Sequence, residues 1–350
     1  MQKLNIAGHT IVQVTHSEIE SKYSKRIVTI VDGQITRDRL VEDVLTVDFT
    51  DLDESPTNEE YKTWHIFNYA MNQKKIESGQ LKPMIQNITT LKGKLEAVRT
   101  LVKQPQEYEE LIKMLFADEA WSVRAEIVKA YNDLSWKQNR TFLKKALQDE
   151  NNWVRFLGFN QFRVLPPAVQ KLEESQLVDG FQDEDDRVRA TAVSIVGGWE
   201  DPKYILPLTD LVCHDPNSRV KTNAIEALRY FVKDESFGYA IQKAFRQAMT
   251  VNNQRVATTS AAYLYAVDSQ MVQSFLSEMI ESPSGLNRAA AAWAMGTTDD
   301  AAAFLEQLQH AYKHETESMP VNQMAKAIAK LLIMSQDTFT DIFKISRASS

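Results

Sequence analysis

Glycine and proline are scarce in this chain. Eleven Gly and ten Pro in 350 residues fall well below the usual shares of roughly 7% and 5%. Sandwiches, barrels and doubly wound folds spend these residues on turns, so the deficit argues against them and favours helices joined by short connections. A single cysteine, Cys213, excludes an intrachain disulfide and a thiolate cluster, and it suits a reducing compartment. No run of 18 apolar residues occurs, which removes the transmembrane-helix signal. The opening MQKLNIAGHT lacks the charged-then-apolar layout of a secretory leader, so a cytoplasmic location is expected. What is present is ordinary for a folded protein: 43% hydrophobic and 25% charged residues, which excludes wholesale disorder.

The net charge of −7 is concentrated. Residues 41–60 carry eight acids (Glu42, Asp43, Asp48, Asp51, Asp53, Glu54, Glu59, Glu60) and no base. This segment reads as a solvated linker around Ser55–Pro56. Residues 1–40 are slightly basic and the remainder is close to neutral. A near-neutral body offers little for a nucleic-acid backbone, so no nucleic-acid partner is expected.

The body is repetitive. Four segments align without gaps: DEAWSVR from Asp118, DENNWVR from Asp149, DEDDRVR from Asp183 and DPNSRVK from Asp215. In each, an acid precedes a base by six positions: Asp118 and Arg124, Asp149 and Arg155, Asp183 and Arg189, Asp215 and Lys221. The apolar residue before the base falls at Val123, Val154, Val188 and Val220, in steps of 31, 34 and 32. Weaker copies continue at Val256, Asn287 and Val321, and an earlier one surrounds TTLKGKLEAVRTL. Arg189 and Arg288 are each followed eight residues later by glycine, Gly197 and Gly296.

After each base the apolar residues recur at three and four, as in Val220, Ala224, Ala227, Leu228 and Phe231, one face of a helix. Before each Asp lies a second amphipathic stretch, such as YEELIKMLFA or YILPLTDLV. Each unit is thus two antiparallel helices. The Asp, or an Asn, Asp or Ser shortly after it, is placed to accept from the free N–H groups opening the second helix. A helix pair of about 33 residues cannot bury both its faces, so successive pairs must stack. The expected fold is mostly α: a right-handed α-solenoid with a small α/β segment at the N-terminus.

This pattern resembles HEAT repeats, the bacterial HEAT-like repeats in particular, over residues 90–334. The resemblance implies a ladder of ion pairs and hydrogen bonds running from unit to unit through Asp118, Arg124, Asp149, Arg155, Asp183, Arg189, Asp215 and Lys221. The last three units depart from the motif, with Thr250, Ser282 and Glu315 at or near the acid position. The ladder is not expected there, and that end is expected to act as a cap, with a helix and tail at 335–350. Trp121 and Trp153 stand just before the Val-Arg pair, at the turn, where they could line a partner-binding edge. Core or inter-repeat packing is the expectation for most of Trp64, Trp136, Trp199 and Trp293.

The first forty residues are different. TIVQVTHS from Thr10 is a β-rich run ending in His16, and SEIESKYSK reads as a helix capped by Ser17 with Glu20 completing a capping box. RIVTIVDGQITRD reads as two strands across Asp32–Gly33. This run resembles the C-terminal end of an ABC-type ATPase domain of the lipoprotein-release and macrolide-export type. The resemblance implies that His16 is the switch histidine that contacts the γ-phosphate in a complete ATPase, with ATP and Mg as that parent's cofactors and a membrane permease as its partner. Ser17 departs from the aspartate usual there. No G-x-x-x-x-G-K-[ST] loop, no LSGGQ-like signature and no acidic strand before His16 occurs. The chain is therefore expected to be the C-terminal part of a longer ATPase, to hydrolyse no ATP alone, and to bind no cofactor.

The domain expectation is then 1–40, an ATPase remnant; 41–89, an acidic linker with entry helices; 90–334, the solenoid; 335–350, the cap. The leading function is a non-catalytic scaffold for a protein or peptide, placed in the cytoplasm or peripherally at the inner face of the cell membrane. Two alternatives stand behind it: an ABC ATPase subunit whose nucleotide site is completed upstream or in trans, and a HEAT-like DNA glycosylase or chromophore lyase. A glycosylase needs a basic groove with aromatics for an extruded base, which the near-neutral charge disfavours. A di-iron hydroxylase of this fold class needs several His-Glu pairs, and only His314–Glu315 occurs.

Overall fold

The computed structural model describes residues 26–31, 34–40, 78–130, 142–298 and 300–334. The chain divides into two compact units, Met1–Leu111 and Ile112–Ser350. The expectations for His16, the strand and helix around it, the Asp32–Gly33 turn, the acidic linker, Trp64, Trp136 and the 335–350 tail lie outside the described residues.

In the first unit, β1 (Arg26–Val31) pairs antiparallel with β2 (Gln34–Leu40), from Arg26↔Leu40 to Val31↔Gln34. The register slips between Thr29 and Ile30, the signature of a β-bulge. Further on, α1 (Ser78–Gln86) and α2 (Leu91–Leu101) follow. Thr90 caps α2 by accepting from the Gly93 N–H at 3.2 Å. Leu81, Ile85, Ala97, Val98 and Leu101 are buried. Helix α3 (Glu109–Leu115) comes next in the chain.

The second unit repeats one plan. Its second helices are α4 (Trp121–Ala130), α5 (Asn152–Arg163), α8 (Asp186–Gly197), α10 (Ser218–Leu228), α12 (Gln254–Leu264), α14 (Gly285–Thr297) and α16 (Ser318–Met334). Each packs on the next along the series. The first helices include a helical run at 142–146, α9 (Ile205–His214), α11 (Gly238–Met249), α13 (Ser269–Ile280) and α15 (Ala301–His314). Helix α9 packs on α11 and α13 on α15, while each of these four also packs on its own second helix. Two helical layers built from neighbour-only stacking make an α-solenoid.

The repeat valines explain the stack. Val123, Val154, Val188, Val220 and Val256 all stand in the first turn of a second helix and are fully buried. Asn287 and Val321, in the weaker copies, are half-buried. Close approach along the second-helix layer depends on glycine. A Cβ at Gly197 would sit 2.4 Å from the Ala227 Cβ, and one at Gly296 would sit 2.9 Å from the Ala327 Cβ. The shared glycine eight residues after Arg189 and Arg288 thus marks contact with the following second helix.

One first helix is irregular. Pro166 and Pro167 open it, at the N-cap and the first helical position where proline is tolerated, and it runs in short pieces, α6 (Pro167–Gln170) and α7 (Glu174–Asp179), joined by a 3-10 turn, Lys171–Glu173. Buried Gln170 ties this region together. Its amide donates to the carbonyls of Phe162 and Leu165 at 2.9 Å each, and its oxygen accepts from the Trp199 indole at 2.7 Å. Trp199 is consequently a packing residue, 9% exposed.

Candidate functional site

The charged seam is built from the turns upward. The ladder Asp of each turn accepts a backbone N–H two residues on. Asp118, Asp149, Asp183 and Asp215 take those of Ala120, Asn151, Asp185 and Asn217 at 2.8–3.0 Å. In the last three of these turns the residue two after the ladder Asp then caps the second helix. Asn151 accepts from the Trp153 N–H, Asp185 from Arg187, and Asn217 from Arg219 and Val220. The acid that the pattern makes conspicuous is therefore the turn-holder, and its less conspicuous neighbour is the cap.

Holding the Asp this way aims its carboxylate at the preceding unit. Arg124 Nε donates to Asp149 Oδ2 at 2.7 Å and its NH2 to Oδ1 at 2.8 Å. Arg155 meets Asp183 at 2.7 and 2.9 Å, and Arg189 meets Asp215 at 2.8 and 3.2 Å. The third nitrogen, NH1, donates backward to the carbonyls of its own turn: Asp118 and Glu119, Asp149 and Glu150, Asp183 and Glu184. Each guanidinium thus welds two turns in a bidentate geometry that lysine cannot reproduce. The Arg124 and Asp149 side chains are only 7% and 6% exposed. Hydrogen bonding to the aspartate pushes the pKa of Arg124, Arg155 and Arg189 above the ordinary arginine value.

Two expectations need correction. Lys221 does not carry the ladder forward. Its ammonium donates to the carbonyls of Val212 and Cys213 at 2.8 Å each, and among the described residues it forms no ion pair. The cap of α12 is Asn253, so the ladder position two residues earlier is Val251, which has no carboxylate to offer. Conversely, the seam resumes where the motif fades. Arg288 Nε and NH2 donate to Glu315 at 2.5 and 2.9 Å, and NH1 donates to the carbonyls of Ser282 and Pro283 at 2.9 and 3.0 Å. Glu315 replaces Asp in the same role and also accepts the N–H groups of Thr316 and Glu317. Its hydrogen bonds to Arg288 hold its pKa down at about 2.

The tryptophans divide. Trp121 is 46% exposed. Trp153 is half-buried and lies against Phe156, with ring centroids 5.3 Å apart. The Arg187 guanidinium of the next second helix sits 5.2 Å from the Trp153 ring and 5.4 Å from Phe156. Sequence reading missed Phe156 and Arg187, although Arg187 stands at the same repeat position as Trp153. Trp293 is half-buried on α14.

Among the described residues no group of three or more His, Cys, Asp or Glu side chains is placed to hold a metal ion, and no helix is long and apolar enough to cross a membrane. The Cys213 thiol is pushed up by burial, the opposite of an activated nucleophile. On this surface the described rung arginines and carboxylates are committed to one another and to backbone groups. It is a packed seam bordered by exposed aromatic and charged side chains.

Helix pairs stacked in two layers, with an arginine–carboxylate rung at four of the junctions, define an α-solenoid, and the HEAT-repeat family model matches residues 174–244, from α7 into α11. A macrolide export ATP-binding/permease protein, MacB of Bordetella avium, is 41% identical over 56 residues, 16% of this chain and 8% of that protein. The chain therefore spans under a tenth of that relative's length. Among solved structures, YibA of Escherichia coli is similar at a TM-score of 0.49 and 17% identity, covering 79% of this chain and 97% of YibA. Human deoxyhypusine hydroxylase, solved with glycerol, gives a TM-score of 0.29 and 15% identity over 78% of this chain and 98% of its own. A TOG-domain array from a study of tubulin recruitment by microtubule polymerases gives 0.31 and 9%, over 72% and 77%. At such scores the repeat geometry, rather than these neighbours, defines the fold.

Proposed function

We propose that this chain is a non-catalytic, protein-binding HEAT-repeat scaffold serving as the regulatory or docking arm of an ABC transporter ATP-binding protein at the cytoplasmic face of a membrane permease. The observation that carries the scaffold reading is the use of the buried charges. Arg124, Arg155, Arg189 and Arg288 are each committed to a bidentate rung, which ties neighbouring helix pairs together at those junctions. Such an array presents side chains at regular intervals, and recognition of an extended partner needs that preorganisation. The short match to the Bordetella avium export protein and the resemblance of residues 1–40 to an ATPase terminus support the transporter assignment. ATP and Mg belong to the complete parent, with His16 as its switch residue, and the isolated chain binds neither.

Two measurements on the full chain test this. Cross-linking in cells, followed by identification of captured proteins, is expected to enrich an ABC permease or its ATP-binding subunit over an unrelated solenoid control. Enrichment of no protein above that control defeats the scaffold reading. Calorimetry with Mg-ATP is expected to give no binding heat, and micromolar affinity would overturn the non-nucleotide assignment.

A further inference from the structure

The residue immediately before the buried repeat valine is Trp153, Arg187, Arg219 and Arg255 on α5, α8, α10 and α12. Arg187 touches Trp153 across the junction, so this position is a neighbour of itself in adjacent units. Asn217 donates to Asp186, and Asn223 donates to the Ala190 carbonyl at 2.8 Å. These bonds set α10 on α8 in the same register and place Arg219 next in the row. Helix α12 packs on α10 and brings Arg255 after it.

The row changes character along its length. Arg187 is neutralised by Asp185, at 2.9 and 2.5 Å, while lying over two aromatic rings. Arg219 and Arg255 are exposed, and among the described residues neither guanidinium has a hydrogen-bond or ion-pair partner. The acids along the turns change with them. Glu150 and Glu184, beside their rungs, are 81% and 78% exposed, whereas the residues two before the α10 and α12 caps' successors are uncharged: Pro216 follows Asp215, and Asn252 follows Val251. The turn edge is acidic at its start and basic over α10 and α12.

Resting on the protein-binding reading above, we propose that this row binds an extended acidic peptide segment of a partner protein. Two of its carboxylates pair with Arg219 and Arg255, and an apolar side chain packs on Trp153 and Phe156. The geometry sets the spacing. Packed helix axes lie about 8–10 Å apart, and a polyproline II chain advances about 3.1 Å per residue with three residues per turn, so carboxylates three residues apart share one face at about that spacing. Two unpaired cations are few for a nucleic-acid backbone, whose binding rests on many phosphate contacts, but suffice for a pair of carboxylates.

The test is fluorescence anisotropy on the full chain with a labelled 12-residue synthetic peptide carrying one Phe followed by two Asp three residues apart. Arg219→Ala and Arg255→Ala are each expected to weaken binding about tenfold, and Arg219→Glu with Arg255→Glu to abolish it. Lys233→Ala, on another surface, is expected to leave it unchanged. Moving the two Asp next to each other in the peptide is expected to weaken binding. Thermal melts check that the exposed substitutions leave the fold intact. Equal affinity for the charge-reversed variant overturns the proposal, as does tighter binding of a single-stranded DNA oligonucleotide than of the peptide. Undiminished capture of the cellular partner by the charge-reversed variant also overturns it while leaving the scaffold reading standing.

Discussion

Arg155 and Asp183 lie 28 residues apart in sequence and meet through two parallel hydrogen bonds of 2.7 and 2.9 Å, with both side chains about 90% buried. The same arginine also closes its own turn through the Asp149 and Glu150 carbonyls. Cutting one rung therefore strands a buried carboxylate and frees two carbonyls.

Removing a single partner should be far worse than removing both. Arg155→Ala leaves the Asp183 carboxylate without its counter-charge and is expected to cost about 3–5 kcal/mol. Combining it with Asp183→Asn relieves part of that penalty. Urea denaturation of the four proteins in the double-mutant cycle measures the coupling. Additive losses would show that the rung is an incidental contact.

Much of this was readable in the chain. The buried valines and the six-residue Asp-to-Arg spacing follow from stacking, which every unit must satisfy in the same way. The rung at Arg288–Glu315 was hidden because the acid changed type: Glu315 carries one more methylene, yet it makes the same paired contact. The break at Lys221 was legible only in part, since Thr250 already marked a turn without an acid while Lys221 itself kept the motif. Its residue type fits the motif, but its partner position, Val251, lies in another unit and is defined only by the α12 cap. The Trp153–Phe156–Arg187 cluster needed the inter-unit register, which no single repeat contains.

Glycine at the second-helix contact is also testable. The Cβ of a Gly197→Ala variant would lie 2.4 Å from Ala227, well inside van der Waals contact, so α8 and α10 must separate. Overpacking of this kind costs about 1–3 kcal/mol, despite the better helix propensity of alanine. A lowered urea midpoint checks this, whereas a raised one would mean that the helices give way without cost.

Acid should dissolve one rung in a defined window. Glu315 has a folded pKa of about 2 against an ordinary value of 4.5. The depressed value means that the pair stabilises the fold above the unfolded pKa and that this contribution fades as pH falls from about 5 towards 2. At pH 7, Glu315→Gln should be less stable than the parent by on the order of 2 kcal/mol. The gap should close progressively on acidification, and denaturant titrations at pH 7, 4 and 3 follow it. A gap independent of pH would assign the loss to packing instead.

The break in the seam should be repairable. Lys221→Arg supplies a fork in place of an ammonium held by the Val212 and Cys213 carbonyls, and Val251→Asp supplies the carboxylate that the other turns carry. Alone, each change is expected to be neutral or destabilising: the arginine has no acid to meet, and the aspartate is half-buried without a partner. Together they recreate the chemistry that Arg189 and Asp215 use one junction earlier, so the coupling should be favourable by about 1–3 kcal/mol. Thermal and urea unfolding of the two single variants and the double variant measure it. Zero coupling would mean that the α10–α12 junction departs in backbone geometry from the three before it, and that the ladder is interrupted by the fold and not only by residue choice.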